Sequence, residues 1–315
     1  GNIYAGFGSF CDFSASQSRG WLLGWRADTL VPLAANRLTD TLSTGSFFLS
    51  AIWMSGYGIA AAPISGHLFF STGNSDPNQD TYDGKTNIQE SVVKVDSQLV
   101  NLLGIFTPSN EFDLEQTDDD LGSGGVLLLP PQPGPFADLV VATSKSGTMY
   151  LLNRASLGGF TPGGPDNVLD EKSIGQCWCG PSYFTGPDGV GRIVSSGGGA
   201  NGAQITVWKI QTSPTVAFVQ KGAAAPVPSG QDGGTFTSVS SNGTQAGTAI
   251  IWATGRPTDS NPAAVNLYAF AETPSGGTLP LLFSSQAGSW PNTGGNANIV
   301  PLVAMDMCLW RAINS

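Results

Sequence analysis

Six carboxylates stand close together in the polar stretch between residues 107 and 120. They are Glu111, Asp113, Glu115, Asp118, Asp119 and Asp120. Asp118 and Asp120 would lie on one side of an extended loop, where they could bind Ca²⁺ together with backbone carbonyl oxygens. The segment lacks the mid-loop glycine and the closing bidentate glutamate of an EF-hand. The alternative is a solvated turn, in which the aspartates cap backbone N–H groups ahead of the next strand.

His67 is the only histidine of the chain. A single histidine argues against a His-ligated zinc centre and leaves a Ser-His-Asp triad only one candidate base. His67 follows Ser65 and Gly66 where a strand is predicted to begin, and it is interpreted as an ordinary turn residue. The glycine cluster at 197–199 follows a strand but opens no helix, so it predicts no phosphate cradle.

The four cysteines are too few for a disulfide scaffold and lack the CxxC spacing of metal sites. Cys177 and Cys179 lie two residues apart on one face of a predicted strand, which makes them awkward partners for each other. Bridges to Cys11 or Cys308 are the favoured pairing, with buried thiols or a redox role as the other interpretations.

The composition indicates a large β-structure with a nearly uncharged surface. The chain of 315 residues has 42 Gly, 21 Pro and 8 Trp, with 40% hydrophobic residues, which suits tight turns around buried sheets. Charged residues make up 11%, and the net charge is −10. Nucleic acid is therefore excluded as the expected partner, because its binding depends on Lys and Arg. No apolar run approaches the 18 residues of a membrane span.

One hairpin pattern recurs along the whole chain. An apolar run from Leu139 to Thr143 is followed by a turn with Gly147 and by a second apolar run from Thr148 to Asn153. With four similar units there are five copies, whose first strands begin near residues 3, 68, 139, 193 and 250. Repeats of this length predict an all-β propeller of about five four-stranded antiparallel blades, either closed or part of a larger propeller. No amphipathic run at helical spacing lasts a dozen residues, so we expect almost no helix.

Small-residue runs precede four of the five hairpins, and a fifth run follows the last hairpin; each predicts the innermost strand of a sheet. These runs are Gly58 to Ile64, Gly122 to Leu129, Cys179 to Phe184, Gly234 to Ser240 and Gly294 to Val303. The first hairpin has no such strand before it. We therefore expect Asn296 to Ala304 to pair with Ile3 to Gly8 and to close a ring, which removes two exposed edges. A single domain over 1–304 and an irregular tail over 305–315 follow from this.

Several of these segments resemble the bacterial pyrroloquinoline-quinone (PQQ) repeat proteins, the quinoprotein-like β-propellers. They are IWMSGYGIAA…HLFFSTGN, IFTPSN, DDDLGSGGVLLLP, LVVATSKSGTMYLLNRASLGGF and GSWPNTGGNANIVPLVA. The chain is similar to the C-terminal part of such a propeller. Phe10 stands where the family often has a histidine before Cys11. The last residues, MDMCLWRAINS, replace the strand that the family has there, and a one-nucleotide frameshift would account for them.

The resemblance implies what an active quinoprotein would need: a tryptophan that stacks on the quinone, a bound Ca²⁺ and a carboxylate base. Five tryptophans could supply the stacking surface, although aromatics that recur once per repeat are typical of the core. They are Trp53, Trp178, Trp208, Trp252 and Trp290. The adjacent Cys-Cys pair of quinoprotein alcohol dehydrogenases and a CxxCH haem motif are absent from the sequence.

The favoured function is a scaffold or binding module without catalysis and without a cofactor, and calcium or PQQ are the alternatives if one is bound. A PQQ- and calcium-dependent alcohol or sugar dehydrogenase is the first alternative. A carbohydrate-binding or carbohydrate-active propeller is the second, suggested by the Trp, Asn and Gly content. The partner would be a small molecule, a glycan or a protein. We expect an extracytoplasmic protein, periplasmic or secreted, whose export signal lies outside this sequence.

Overall fold

The computed structural model describes residues 1–8, 20–34, 51–75, 82–85, 87–199, 201–229, 233–255, 262–290, 299–304 and 307–309. The chain divides into two compact units, where the sequence predicts a single domain over 1–304. Unit 1 comprises Gly1–Leu128, Val140–Ser146 and Leu152–Leu169. Unit 2 comprises Leu129–Leu139, Gly147–Leu151 and Asp170–Ser315.

Strands make up most of the regular structure in the described ranges. The first eleven are β1 Asn2–Phe7, β2 Trp21–Arg26, β3 Ala60–Ala61, β4 Leu68–Ser71, β5 Val92–Val95, β6 Leu102–Thr107, β7 Val126–Leu128, β8 Leu139–Thr143, β9 Thr148–Asn153, β10 Gly159–Phe160 and β11 Asp170–Ser173. The others are β12 Ser182–Thr185, β13 Gly191–Ser195, β14 Gly198–Gly199, β15 Gly202–Ala203, β16 Thr206–Gln211, β17 Ala217–Ala223, β18 Thr237–Ser240, β19 Ile250–Thr254, β20 Ala263–Ala271, β21 Leu281–Trp290, β22 Leu302–Ala304 and β23 Met307–Leu309.

The strands pair in the order that the repeat pattern predicts. Three four-stranded sheets have the orders β11-β9-β8-β7, β12-β13-β16-β17 and β18-β19-β20-β21. A fourth large sheet has five strands, in the order β10-β6-β5-β4-β3, and its two-residue strand β10 pairs with β6 in parallel. Each of these sheets is otherwise an antiparallel succession of neighbouring strands. The described residues include the hairpin β1-β2 of the first predicted blade.

The recurring hairpin confirms the local interpretation of the sequence. β8 and β9 have the predicted bounds, and β1, β4, β8, β13 and β19 begin at or within two residues of the predicted positions. Every residue of β8 is buried, which requires that both faces of this strand are covered. Runs of Val, Leu and Ile are suited to such a strand because no alternation with polar residues is needed.

Each unit has its own core between sheet faces. In unit 1, Leu22 and Ile52 pack with Leu68, Phe70 and Val93, and all five are at most 1% exposed. Leu22 comes from the first hairpin, whereas the last three come from β4 and β5. Burying each of these side chains contributes about 1.5–3 kcal/mol, so the first hairpin is fixed chiefly by apolar packing.

In unit 2, the main core lies between the sheet of β13 and the sheet of β19. Val194 and Val207 pack with Ile251, Ala253 and Phe270. All five are at most 3% exposed. The register of β13–β16 and β19–β20 determines which of these side chains meet.

The structure contains a helix that the sequence interpretation missed. Helix α1, Glu111–Thr117, begins after Asn110 and ends at Asp118, whose backbone is left-handed with φ 57°. Seven residues are too few to produce a visible helical period, and their acidic content suggested a loop. Short 3-10 turns also occur at Met54–Gly56 and Leu121–Ser123. None of the helices within the described ranges has the length and hydropathy that crossing a bilayer requires.

The C-terminal segment forms a short hairpin within the described residues, and its expected closure with Ile3 to Gly8 stays a prediction. β22 pairs with β23, so Met307–Leu309 is a strand inside the tail that was expected to be irregular. β1 pairs with β2. The expected partner segment, 296–304, falls partly outside the described residues. The apolar Val303 and Cys308 are opposite each other in the β22–β23 register.

One hairpin of unit 2 carries a small ion-pair network. Asp188 Oδ1 lies 2.9 Å from Arg192 Nη2, and Asp188 Oδ2 lies 2.8 Å from Lys209 Nζ. Burial opposes ionisation of Asp188, but the hydrogen bonds from Lys209 and Arg192 outweigh it and lower the pKa of the carboxyl. The network joins the β12–β13 turn to β13 and β16.

We predict that Asp188→Asn lowers the free energy of unfolding by about 0.5–1 kcal/mol at pH 7, because the half-exposed pairs are screened by water. The folded-state pKa is below the ordinary value of 3.8. The stabilisation is therefore complete above the unfolded-state pKa and is lost as the pH falls through the folded-state pKa. Urea unfolding of both proteins from pH 7 to pH 2 measures the difference, which should shrink below about pH 4 and in 1 M salt. A difference that is independent of pH would contradict this account.

Candidate cation site

Helix α1 buries its acidic side. Glu111, Leu114 and Glu115 are buried and share one face at i, i+3 and i+4 spacing. Phe112 is 44% exposed. This inverts the usual pattern, in which the apolar stripe of a helix faces inward and charges face water. Two carboxylates on an inner face need a polar or cationic environment, because burying a charge without compensation is costly.

Two more carboxylates are buried in unit 1. Glu90 has no exposed surface and Asp120 is 2% exposed. Leu121 N–H donates to Glu90 Oε2 at 2.5 Å, which connects Glu90 to the residue after Asp120. We call Glu90, Glu111, Glu115 and Asp120 the carboxylate cluster.

The electrostatics of Glu90 show that the cluster members affect one another. Burial raises the pKa of Glu90 well above its ordinary value, and the charge of Asp120 raises it further. The hydrogen bond from Leu121 acts in the opposite direction, and Glu115 and Glu111 add smaller upward contributions. Glu90 is therefore within electrostatic reach of the other three carboxylates.

Amide side chains border the cluster and offer further oxygen atoms. Glu115 accepts hydrogen bonds from the Ser75 backbone N–H at 3.0 Å and from Gln89 Nε2 at 3.4 Å. Gln89 Oε1, Glu90 Oε1 and Asn74 Oδ1 are buried, and none receives a hydrogen bond from the described residues. All three atoms are acceptors, so a hydrogen-bond donor or a cation would satisfy them.

Gly73 keeps a space between Asp120 and Trp53. A Cβ atom on Gly73 would lie 3.2 Å from Asp120 Oδ2 and 3.2 Å from Trp53 Nε1. The indole Nε1–H is buried and finds no acceptor within the described residues. A water molecule suits such a pair, because it accepts from the indole N–H and donates to the carboxylate.

Close backbone contacts hold the loop that carries Asp120. A Cβ atom on Gly122 would overlap the backbone N of Gly73, and one on Gly124 would overlap the carbonyl of Thr143. The carbonyl of Asp120 accepts from Lys145 N–H at 3.1 Å and from Ser123 Oγ at 2.9 Å. Gly122 and Gly124 are thus required for the loop to approach its neighbours.

The structure places Asp118 and Asp120, the two ligand candidates named from the sequence, in different environments. Asp118 ends α1 on the surface, where its Oδ2 lies 2.7 Å from Lys145 Nζ and its Oδ1 accepts from Asn74 Nδ2 at 3.1 Å. Asp120 is buried in the carboxylate cluster. The extended loop assumed in the prediction is replaced by a helix end and a 3-10 turn, and these turn the two carboxylates into different environments.

The donor set suits a hard cation. Ca²⁺ takes 6–8 oxygen ligands from carboxylates, amide and backbone carbonyls and water. No group of three Asp, Glu, His or Cys side chains in the described ranges is arranged to hold a metal ion as it stands. Glu90 and Asp120 would supply the carboxylate oxygens, and Gln89 Oε1 is a nearby amide oxygen without a donor. Water would fill the other positions.

The tryptophans named from the sequence have varied environments. Trp208 Nε1 donates to Ser195 Oγ at 2.8 Å, and Trp252 Nε1 donates to Ser240 Oγ at 3.0 Å, each within its own sheet. The Trp178 backbone N–H donates to the carbonyl of Gly233. Trp53 is the one whose indole lies beside the carboxylate cluster.

Comparisons with known proteins bear on the fold. No protein-family model matches the chain, and no curated protein matches its sequence. Among solved structures, a europium-containing methanol dehydrogenase has 11% identity and a TM-score of 0.51, over 92% of this chain and 60% of that chain. Quinohemoprotein alcohol dehydrogenase ADHIIG from Pseudomonas putida HK5 has 13% identity and a TM-score of 0.48, over 92% and 51%. The WD40 domain of Toxoplasma gondii coronin has 11% identity and a TM-score of 0.34, over 90% and 68%.

The chain has the fold of a quinoprotein-type β-propeller. The resemblance predicted from the sequence and the all-β propeller class are both confirmed. The identities are too low to carry more than the fold. The chain spans 51% and 60% of the lengths of the two dehydrogenases.

The disulfide differs from the favoured prediction. Cys177 and Cys179 bond to each other, with a Cα–Cα distance of 4.8 Å. Both are at most 1% exposed, so the bond is buried in unit 2. The prediction assumed a regular strand, but 177–179 precedes β12, and the irregular backbone there allows residues two apart to meet. Cys11 lies outside the described residues.

The turn interpretation of His67 agrees with its hydrogen bonds. The carbonyl of His67 accepts from Ala62 N–H at 2.9 Å, and its own N–H donates to Ser65 Oγ at 3.3 Å. Both bonds are made by the turn that joins β3 to β4. Glu90 carried no sequence signal at all. Glu111 and Glu115 could have been noticed from their spacing with Leu114.

We predict that Gly122→Ala lowers the free energy of unfolding by about 1–3 kcal/mol, because its Cβ must displace the backbone at Gly73. Gly58→Ala is the matched control, since a Cβ on Gly58 meets nothing within 4 Å. Its effect should be less than about 0.5 kcal/mol. Urea unfolding followed by tryptophan fluorescence measures both. Equal effects of the two substitutions would show that the contact at Gly73 is not a constraint.

Proposed function

We propose that this quinoprotein-like propeller is a binding module without catalysis and that it holds Ca²⁺ at the carboxylate cluster. The observation that carries the proposal is Glu90: its side chain is fully buried, and its Oε1 receives no hydrogen bond from the described residues. A buried carboxylate is stable when it is paired, hydrogen-bonded or bound to a metal. A cation between Glu90 and Asp120 provides that compensation.

The competing explanation is a protonated Glu90. A neutral glutamic acid in an apolar site can donate a hydrogen bond to a nearby carboxylate, and the raised pKa of Glu90 favours this form when no cation is present. The inner face of α1 favours the cation, because two further carboxylates, Glu111 and Glu115, approach from the same side.

An extracytoplasmic location would suit this proposal. Calcium sites of extracellular modules have dissociation constants of about 10⁻⁴–10⁻³ M, and a site with few preorganised ligands falls in that range. The bond between Cys177 and Cys179 is of the kind that persists in oxidising compartments. The bound partner would be a small molecule, a glycan or a protein.

We predict that calcium stabilises the protein and that Glu90→Gln removes the effect. A ligand present at a hundred times its dissociation constant adds about 2.7 kcal/mol to the free energy of unfolding. In EDTA, Glu90→Gln should be about as stable as the wild type, because a neutral amide of nearly equal volume replaces a carboxyl whose ionised form is disfavoured there. In the presence of calcium, the wild type should be more stable than Glu90→Gln. Thermal and urea unfolding of both proteins in EDTA and in calcium measure these stabilities.

The matched control for this test is Asp113→Asn, which changes a carboxylate on the exposed side of α1. It should keep the full calcium-induced shift. Calcium that leaves the wild type unchanged would overturn the proposal and favour the protonated Glu90. An equal calcium shift in Glu90→Gln would place the ion elsewhere.

Catalysis has a separate test. We predict that PQQ added together with Ca²⁺ gives no saturable binding and no dye reduction with alcohols or sugars. The absence of the adjacent Cys-Cys pair and of a haem motif from the sequence supports this outcome. Quinone fluorescence and a dye-linked activity assay measure it. Saturable binding accompanied by substrate-dependent dye reduction would replace the binding module with a quinone-dependent dehydrogenase.

A further inference from the structure

A small cleft lies in unit 1, between strand β6 and the loop that follows β9. It has a volume of about 230 Å³, and the residues that line it include a lysine, a serine, a glycine and three large aliphatic residues. They are Lys94, Ser156, Gly104, Leu103, Ile105 and Leu157. Leu157 is 3% exposed and Leu103 is 41% exposed, so the cleft leads from the interior to the surface. None of these residues belongs to the carboxylate cluster.

Lys94 is the only charged residue among the described residues that line the cleft. Its Nζ donates to the carbonyl of Arg154 at 3.1 Å and lies 5.7 Å from the centroid of the Phe69 ring. The carbonyl and the ring hold the ammonium in place, and neither of these groups carries a charge that would cancel its own. Lys and Arg together number 13 in the chain against 23 Asp and Glu, so most of the surface repels an anion. The cleft attracts one.

Gly104 keeps the cleft open. It pairs with Lys94 across β5 and β6, which places the two residues on the same face of the sheet. Its φ lies outside the left-handed region, so the backbone does not require glycine there. A Cβ on Gly104 would meet Leu157 Cδ1 at 3.9 Å, which is an ordinary contact, so packing does not require glycine either. A glycine inside a strand often marks a bulge or the close approach of a ligand, and the bulge of β6 falls at Leu103.

The size and the lining of the cleft define a class of ligand. A cavity of about 150 Å³ holds a benzene molecule, so the larger cleft has room for a body of that size with one polar group. Leu103, Ile105 and Leu157 suit an apolar body. Lys94 and Ser156 offer N–H and O–H donors to the oxygens of a carboxylate. An inorganic anion would use these donors but leave the apolar lining in contact with water.

We propose that the cleft binds a small organic monocarboxylate, whose carboxylate pairs with the Lys94 ammonium and whose apolar body lies against Leu103, Ile105 and Leu157. The site shares no residue with the proposed calcium site and does not depend on it. A ligand of about nine non-hydrogen atoms in an open cleft binds weakly, with a dissociation constant on the order of 0.1–1 mM.

Benzoate is the probe for this site. Its binding to the whole chain is measured by ligand-observed NMR titration in EDTA, so that the result is independent of calcium. Benzoate should show saturable binding with a dissociation constant on the order of 1 mM or below. Benzyl alcohol, which lacks the charge, and acetate, which lacks the ring, should each bind at least about tenfold more weakly.

Two variants test the assignment of the site. Lys94→Met removes the ammonium but keeps an unbranched side chain of similar length, and it should weaken benzoate binding about 10–100-fold. Gly104→Val fills the cleft from its wall and should abolish binding. Its urea midpoint should be unchanged or raised, because valine favours a strand over glycine. Lys221→Met is the matched control, since Lys221 is exposed on β17, and it should bind benzoate like the wild type.

Far-UV circular dichroism checks that every variant is folded, and Lys94→Met decides the test if Gly104→Val is not. Benzoate that shows no saturation up to about 20 mM overturns the proposal. So does wild-type affinity in Lys94→Met or in folded Gly104→Val, or a loss of affinity in Lys221→Met as large as that in Lys94→Met. Equal affinities for benzoate and benzyl alcohol, or for benzoate and acetate, also contradict it.

Discussion

The backbone contact between Gly73 and Gly122 is the constraint on which the candidate site depends. Neither residue can carry a side chain toward its neighbour: a Cβ on Gly122 would overlap the backbone at Gly73, and one on Gly73 would enter the space beside Asp120 and Trp53. Because the backbone segments at Gly73 and Gly122 are in contact, Asp120 is held inside unit 1. Leu121 N–H can then reach Glu90 Oε2. The small-residue run predicted as an innermost strand thus also positions an acidic site.

The arrangement has an energetic cost that packing alone does not offset. Glu90, Glu115 and Asp120 are each at most 2% exposed. Removing a carboxylate from water costs on the order of several kcal/mol even after the protein relaxes. Hydrogen bonds from Ser75, Gln89 and Leu121 recover part of that cost. A cation bound at Glu90 would offset the cost for that carboxylate, whose Oε1 receives no hydrogen bond from the described residues.

Local patterns in the sequence were sufficient to predict where the strands lie. The hairpin of Leu139–Thr143 and Thr148–Asn153 has its predicted bounds, because apolar runs and a glycine turn determine a hairpin within a few residues. The repetition of that pattern along the chain was sufficient to predict the propeller class. Helix α1 was missed because its inner face is acidic, so the usual apolar period is absent.

The site required tertiary information. Trp53, Glu90 and Asp120 lie far apart in the chain, and only the packing of their segments brings them to one place. Asp120 was identified from the sequence as a ligand candidate, but its expected partner, Asp118, binds Lys145 at the surface. The partner that the structure provides is Glu90, which ends a polar segment without any motif. The Cys177–Cys179 bond was missed because a regular strand was assumed where the backbone before β12 is irregular.

The most direct test of the calcium proposal is a crystal structure of the protein grown with Ca²⁺, with anomalous data collected at a long wavelength. The account predicts an anomalous peak about 2.3–2.6 Å from carboxylate oxygens of Glu90 and Asp120, with water completing the coordination. A structure without a peak there, in which Glu90 Oε1 instead makes a short hydrogen bond to a neighbouring carboxylate, would contradict it. In that case the cluster would hold a shared proton and no cation.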